Sequence, residues 1–312
     1  MGAIPKTLLI GSPQSSVSAV TTAGAGEDVG LFGPTSLTWR VHLEPVLWVA
    51  GVRALYLQAL HPKVIRGTAQ NSALFDRARA WQRFQRTAEF VAIRTFGTTE
   101  QVARVGQRVR RMHACLRGYD PDTGEHFRLD EPELLLWVHC GEIDSYVDVA
   151  RRAGILTSAA QADAYVAESR RAAQVVGIPF EDAPASTAEL AEYFTRMRPA
   201  LYACPEAVRG LLGSLNPPIP LPPWLQPLKL AMPALVALSF AVLPRWARRL
   251  YGAPGLPTTD TAATLALRAL RRASTLLPAS PEARRIRHLI ELAQRAEPVM
   301  ARAVQPHAEG RL

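Results

Sequence analysis

Apolar residues recur along most of this chain at intervals of three and four, the period of an amphipathic helix. Residues 44–60 are strongly apolar and stop at His61-Pro62, where proline disfavours continuation of a helix. Residues 75–96 read as the next helix, with Gly97 as its stop. Thr98 and Gln101 have capping-box spacing for a helix reaching Arg117, with the stripe Val102, Val105, Val109, Met112 and Leu116 and with Gly118 as terminator. Residues 119–124 are turn chemistry. A long helix then opens at Asp130, with Glu133 at the capping-box position, and runs to near Gly154. Ser158 with Gln161, and Ser186 with Glu189, open two more helices. Residues 216–223 form a proline-rich rigid crossover. Residues 259–277 and 281–302 are again helical, the last with Ser280 as N-cap and Pro281 at the first position. No period-two alternation is sustained and no repeat is evident. The pattern predicts an all-α single domain of about ten helices over residues 30–305, after a Gly/Ser/Ala/Thr-rich leader at 1–29 and before a tail at 306–312.

Composition narrows the class. The chain has 312 residues, 48% of them apolar, enough for a sizeable core. Its three cysteines, Cys115, Cys140 and Cys204, are too few and too scattered for a disulfide framework, and no Cys/His cluster has zinc spacing. The net charge of +9 comes almost wholly from arginine. Many arginines fall as pairs along helices, the look of a solvated face, and no nucleic-acid-binding motif accompanies them, so nucleic acid is not an expected partner. The first 30 residues lack the charge and apolar run of a secretory signal, which points to a cytoplasmic protein. The apolar run at 228–244 is interrupted by Lys229 and Pro233 and falls short of the about 20 residues a membrane span needs. Its basic flank at Arg245, Arg248 and Arg249 suits peripheral membrane contact. Hydrolase, zinc-protease, P-loop and dinucleotide fingerprints are all missing, so chemistry here calls for a cofactor.

One residue stands out against this background. The segment Leu134-Leu135-Leu136-Trp137-Val138-His139-Cys140 puts an imidazole on an apolar helical stripe with Leu135, Leu136, Ile143 and Tyr146. A buried imidazole needs a partner. That partner is either a backbone carbonyl, as for an ordinary core histidine, or an iron such as that of a haem. Cys140 points about 100° away and reads as a small buried hydrophobe. Asp144, about 140° around the helix, pairs elsewhere. His126, His288 and His307 read as solvent-exposed.

The run Trp137-Val138-His139 followed by Asp144-Ser145 resembles the signature helix of a haem family that comprises the latex-clearing rubber oxygenases and the MpaB-like oxygenases. Four stretches agree in order: 51–58, then Leu60-His61-Pro62 with Gly67 and Ser72, then Val109 to His113 ending in Arg117-Gly118, and Leu243-Pro244 with Leu250-Tyr251-Gly252. The resemblance covers residues 30–255 and implies a globin-like helical core. It implies that His139 is the axial ligand of a non-covalent haem b. The family's distal pattern Arg-x-x-Lys-Thr-His reads here Arg108-Val109-Arg110-Arg111-Met112-His113. Arg108 and His113 match, while Arg111 and Met112 replace the lysine and threonine, so lysine ligation of iron is not expected. Arg108, Arg111 and His113 are the distal candidates, against the alternative of surface arginines; Met112 fits core better than ligand. His61 is either a pocket wall or second axial ligand, or a helix-terminal histidine interacting with the dipole. Arg53 and Arg66 are candidates for the haem propionates, or surface residues.

These readings imply a haem-dependent oxidoreductase, an oxygenase using dioxygen or peroxide on a hydrophobic small molecule. The alternatives are a non-catalytic haem sensor or store, and a haem-free helical protein at a membrane surface.

Overall fold

The computed structural model describes residues 28–219, 232–276 and 278–303, with side chains to residue 293. The expected tail, nearly all of the expected leader, the end of the proline-rich crossover, His307 and residues 228–231 lie outside the described residues. Among the described residues the chain is an all-α single domain with one small hairpin.

Local chemistry sets the order of elements. Ser36 caps α1 (Leu37–His42) through Trp39 N–H. The apolar α2 (Leu47–Gln58) ends before His61-Pro62; Pro62 opens α3 (Pro62–Asn71), with His61 as its N-cap residue. A short 3-10 turn (Ala73–Phe75) precedes α4 (Ala80–Phe96), so the helix expected from Phe75 starts five residues later. Both hydrogen bonds of the Thr98/Gln101 capping box open α5 (Thr99–Cys115). Asp28, inside the expected leader, accepts from Thr99 N–H and hydroxyl at the same helix start, at 2.7 Å each.

The hairpin β1 (Arg117–Asp120) and β2 (Glu125–Arg128) corrects the expectation of a plain turn. Its bend is made by Gly124 at φ +73°. Gly118 lies against the Phe127 ring, and any side chain there would enter the ring.

The central helix α6 (Pro132–Arg152) begins one residue later than expected. Pro132 takes the first helical position, which makes Glu131 the N-cap residue; Asp130 binds Arg128 instead of capping. Ser158 and Ser186 cap α7 (Ala159–Val176) and α8 (Thr187–Met197) as the sequence predicts. The remaining helices are α9 (Pro205–Ser214), α10 (Met232–Ala241), α11 (Arg245–Leu250), α12 (Pro257–Ser274) and α13 (Pro281–Ala303). Among the described residues no helix is long and apolar enough to cross a membrane.

The core is built on α2 against α6. Val49, Ala50, Leu57, Leu60, Trp137, Cys140 and Val149 are all completely buried. Gly141 allows the close approach: a Cβ there would stand 3.0 Å from the Gln58 side chain. Gln58 locks the two helices by donating to Val138 C=O and accepting from the Trp137 indole, both at 2.9 Å.

Candidate functional site

One face of α6 is fully committed to the core. Arg53, 1% exposed, reaches from α2 into it. Its guanidinium donates to Val242 C=O (3.0 Å), Ser145 Oγ (2.6 Å) and Asp144 (2.8 Å), with Asp148 at 3.8 Å. Burial pushes the Asp144 carboxyl up, opposed by the Arg53 charge. Every nitrogen of this arginine has a partner, so it clamps α2 and α6 to the segment after α10. That geometry also places Asp144-Ser145: the pair answers a buried guanidinium on α2.

The other face of α6 carries His139, Glu142 and Tyr146, which share one side by helical spacing. His139 is 4% exposed, and among the described residues neither ring nitrogen has a hydrogen-bond partner. Burial drags its pKa down to about 4, so the ring is neutral at pH 7. One turn further along, Glu142 forms a two-point ion pair with Arg94 of α4, at 2.5 and 3.1 Å. Arg94 is 4% exposed and its Nε has no partner. Burial pushes the Glu142 carboxyl up, but the Arg94 charge and hydrogen bonds outweigh it and hold the group below its ordinary value.

His42 at the end of α1 joins the cluster. It packs 4.6 Å from the Tyr146 ring and hydrogen-bonds Tyr165 Oη of α7 at 2.9 Å. Burial lowers its pKa to about 4 as well. Arg94, Glu142 and His42 were not singled out from the sequence. The available signal was Arg94 in the apolar run Phe90-Val91-Ala92-Ile93, and Glu142 at the third position after His139.

The helix α4 above this face is unlike the core helices. Trp81, Phe84, Phe90, Val91, Ile93 and Phe96 are all only partly buried, and of its seventeen residues only Arg94 and Thr95 are buried. A helix bearing four large aromatics normally closes on a partner surface. The Arg94–Glu142 pair ties its C-terminal end to α6.

The other sequence candidates are dispersed. Arg66 is buried within an ion cluster formed by Asp120 and Asp122 of the hairpin region, with Tyr202 Oη at 3.3 Å and Glu206 at 3.7 Å. His61 is buried, its Nδ1 has no partner, and its pKa is lowered to about 4 by burial and by Lys63. Its ring lies 6.1 Å from that of Trp137, which points to the opposite side of α6 from His139. On α5, Arg108 and Arg111 are exposed and carry no ion pair or hydrogen bond among the described residues. Met112, expected in the core stripe, is 43% exposed. His113 turns inward: it is half-buried, its Nδ1 is buried without a partner, and burial and the nearby Arg83 charge lower its pKa. Cys140 is wholly buried and its thiol is pushed up by burial, as befits a small hydrophobe. His126 and His288 are exposed. Among the described residues no group of three metal-ligating side chains comes together.

The chain is thus an all-α domain whose central helix carries, on one face, a buried histidine without a hydrogen bond among the described residues and a buried ion pair. The family model described as ER-bound oxygenase mpaB/B'/Rubber oxygenase, catalytic domain, matches residues 39–276. The chain therefore belongs to that family and is an enzyme of the oxygenase type. Neither the curated proteins nor the solved structures compared with it give a match.

Proposed function

We propose that the protein is a haem b-dependent oxygenase acting on a hydrophobic small molecule, with His139 as the axial ligand. The observation that carries this reading is His139 itself. The residue is buried, yet its ring nitrogens make no hydrogen bond among the described residues, which leaves them free to take a metal. Its neutral form is the one that coordinates a metal. A single-histidine ligand also suits haem, because the porphyrin supplies the other donors and no protein cluster of three ligands is required. The partly buried aromatics of α4 supply apolar surface beside this face, the kind of wall a flat hydrophobic cofactor or substrate covers.

The residues divide the work. His139 fixes the iron from α6, and the Gln58 and Arg53 clamps hold α6 rigid beneath it. His113, with its inward unpartnered nitrogen, is the one α5 candidate that turns toward the protein interior and could donate or accept a proton there. Arg108 and Arg111 supply positive charge at the rim. When bound, the haem supplies the oxygen chemistry, with dioxygen or peroxide as oxidant.

The test is spectroscopic. Protein from haem-replete cells shows a Soret band that acid-acetone extracts, and His139→Ala lowers haem occupancy or changes the spin state while the far-UV helical signal stays. Full occupancy with an unchanged spectrum in His139→Ala removes His139 as ligand. A colourless wild-type protein that does not take up added haem removes the whole reading.

A further inference from the structure

We propose that the buried Arg94–Glu142 pair sets how electron-rich His139 is as an iron ligand, the carboxylate raising it and the guanidinium opposing it. This rests on His139 holding a haem iron. Glu142 follows His139 by three positions on α6, which puts their Cβ atoms about 5–6 Å apart on one face. Arg94 reaches the same face from α4 and binds both carboxylate oxygens. Both members are largely buried, Arg94 at 5% and Glu142 at 15% side-chain exposure, so their fields at His139 are poorly screened by solvent.

Two features set the pair apart from a stability element. Buried ion pairs contribute little net stability compared with apolar side chains of the same size. This one is also imperfect, because the Arg94 Nε lacks any partner. His139, unlike His42 with its Tyr165 hydrogen bond, has no direct hydrogen bond of its own. Through-space charge is therefore the protein's handle on that ring. The partner charges of metal-bound histidines ordinarily act in this way, by tuning ligand basicity from outside the coordination sphere. Because the two charges nearly cancel, removing one has a defined sign.

The experiment measures the reduction potential of the haem-loaded protein in wild type, in Glu142→Gln and in the double variant Arg94→Gln/Glu142→Gln. Glu142→Gln leaves the permanent Arg94 cation unopposed, so the ferric form is disfavoured and the potential rises, by roughly tenfold in the ferric/ferrous ratio or about 59 mV. The double variant removes both charges and returns toward wild type. A merely structural pair gives the opposite ranking, with the double variant at least as perturbed as the single. Coinciding potentials, or a double variant as high as the single, overturn the proposal. Should Glu142→Gln fail to fold, the charge swap Arg94→Glu/Glu142→Arg keeps a pair and moves the cation onto α6 beside His139. Its potential is expected above wild type, and a value at or below wild type overturns the proposal. Wild-type protein that binds no haem is a separate result, seen before any variant is made, and it overturns the haem reading together with this one.

Discussion

The two sides of α6 obey different rules. Toward α2, the contact is mostly buried and each nitrogen of Arg53 has a partner, while Gln58 donates to Val138 C=O and accepts from the Trp137 indole across the contact. Toward α4, His139 and the Arg94 Nε have no hydrogen-bond partner among the described residues, and four aromatics of α4 stay partly exposed. Packing alone accounts for the first side. The second leaves apolar helix surface only partly covered, whereas such faces are ordinarily closed. One side holds the scaffold; the other keeps its options for a ligand.

Breaking the closed side has the largest effect. Arg53→Met removes a buried guanidinium that binds Val242, Ser145 and the half-buried Asp144, and should cost about 3 kcal/mol. Trp137→Ala, at a site with no exposure, should cost about 3–5 kcal/mol as well. Urea denaturation of the apo protein measures both; losses under about 1 kcal/mol would show that the α2–α6 contact is not the scaffold. On the open side, His139→Ala should cost only about 1 kcal/mol in the apo protein, since it breaks no hydrogen bond. Under the proposed ligation, the same substitution should also abolish the stabilisation of wild type by added haem.

Acid sharpens the contrast. His42, His61 and His139 all have folded pKa values near 4, against the ordinary value of about 6.5. Between these limits the unfolded chain binds more protons than the folded one, so stability is full above about pH 6.5 and falls as pH drops toward 4. His139→Phe should flatten this slope, whereas haem bound at His139 would keep the ring unprotonated and leave the slope in place. Urea midpoints at pH 7, 5.5 and 4.5 measure it. A midpoint that stays constant over that range would mean these rings are not held neutral by burial.

What could be read from the sequence follows the range of the physics. The caps at Thr98, Ser158 and Ser186 are contacts over three residues, and all three form as predicted. The hairpin escaped because its inward positions are Gly118, Asp120 and Phe127, which give no apolar alternation. Asp120 is buried only because Arg66 comes to it from α3. Asp130 had the right chemistry for a cap, but Pro132 fixes the helix start one residue later. His139 could be singled out by its place on an apolar stripe. Its surroundings could not, since Arg94 and Glu142 are 48 positions apart and meet only when α4 folds over α6.

Ligand-induced order should follow the same division. Haem binding should slow amide hydrogen exchange along α4, whose partly buried face gains a partner, and leave α2 and the core face of α6 nearly unchanged. Equal protection of all three helices before and after haem addition would mean that α4 is already closed and that the ligand enters elsewhere.

The smallest effects belong to the exposed arginines of α5, a helix that turns different residues to different surroundings. Arg108 and Arg111 stand in solvent without partners, while His113 turns a buried, unpartnered Nδ1 inward. Exposed charges are screened within about 8–10 Å at physiological salt, so Arg108→Ala and Arg111→Ala should each change cyanide affinity of the haem-loaded protein less than about threefold. His113→Ala removes a group in a desolvated position, where a hydrogen bond to a charged ligand is worth about 1.5–3 kcal/mol, and should change affinity by roughly ten- to a hundredfold. Haem occupancy should stay at the wild-type level in all three variants if His139 is the protein's ligand to the iron, as proposed. If the arginine variants lose cyanide affinity more steeply than His113→Ala, α5 swings its arginine face inward on haem binding. The arginines, and not His113, would then be the α5 residues that meet the ligand.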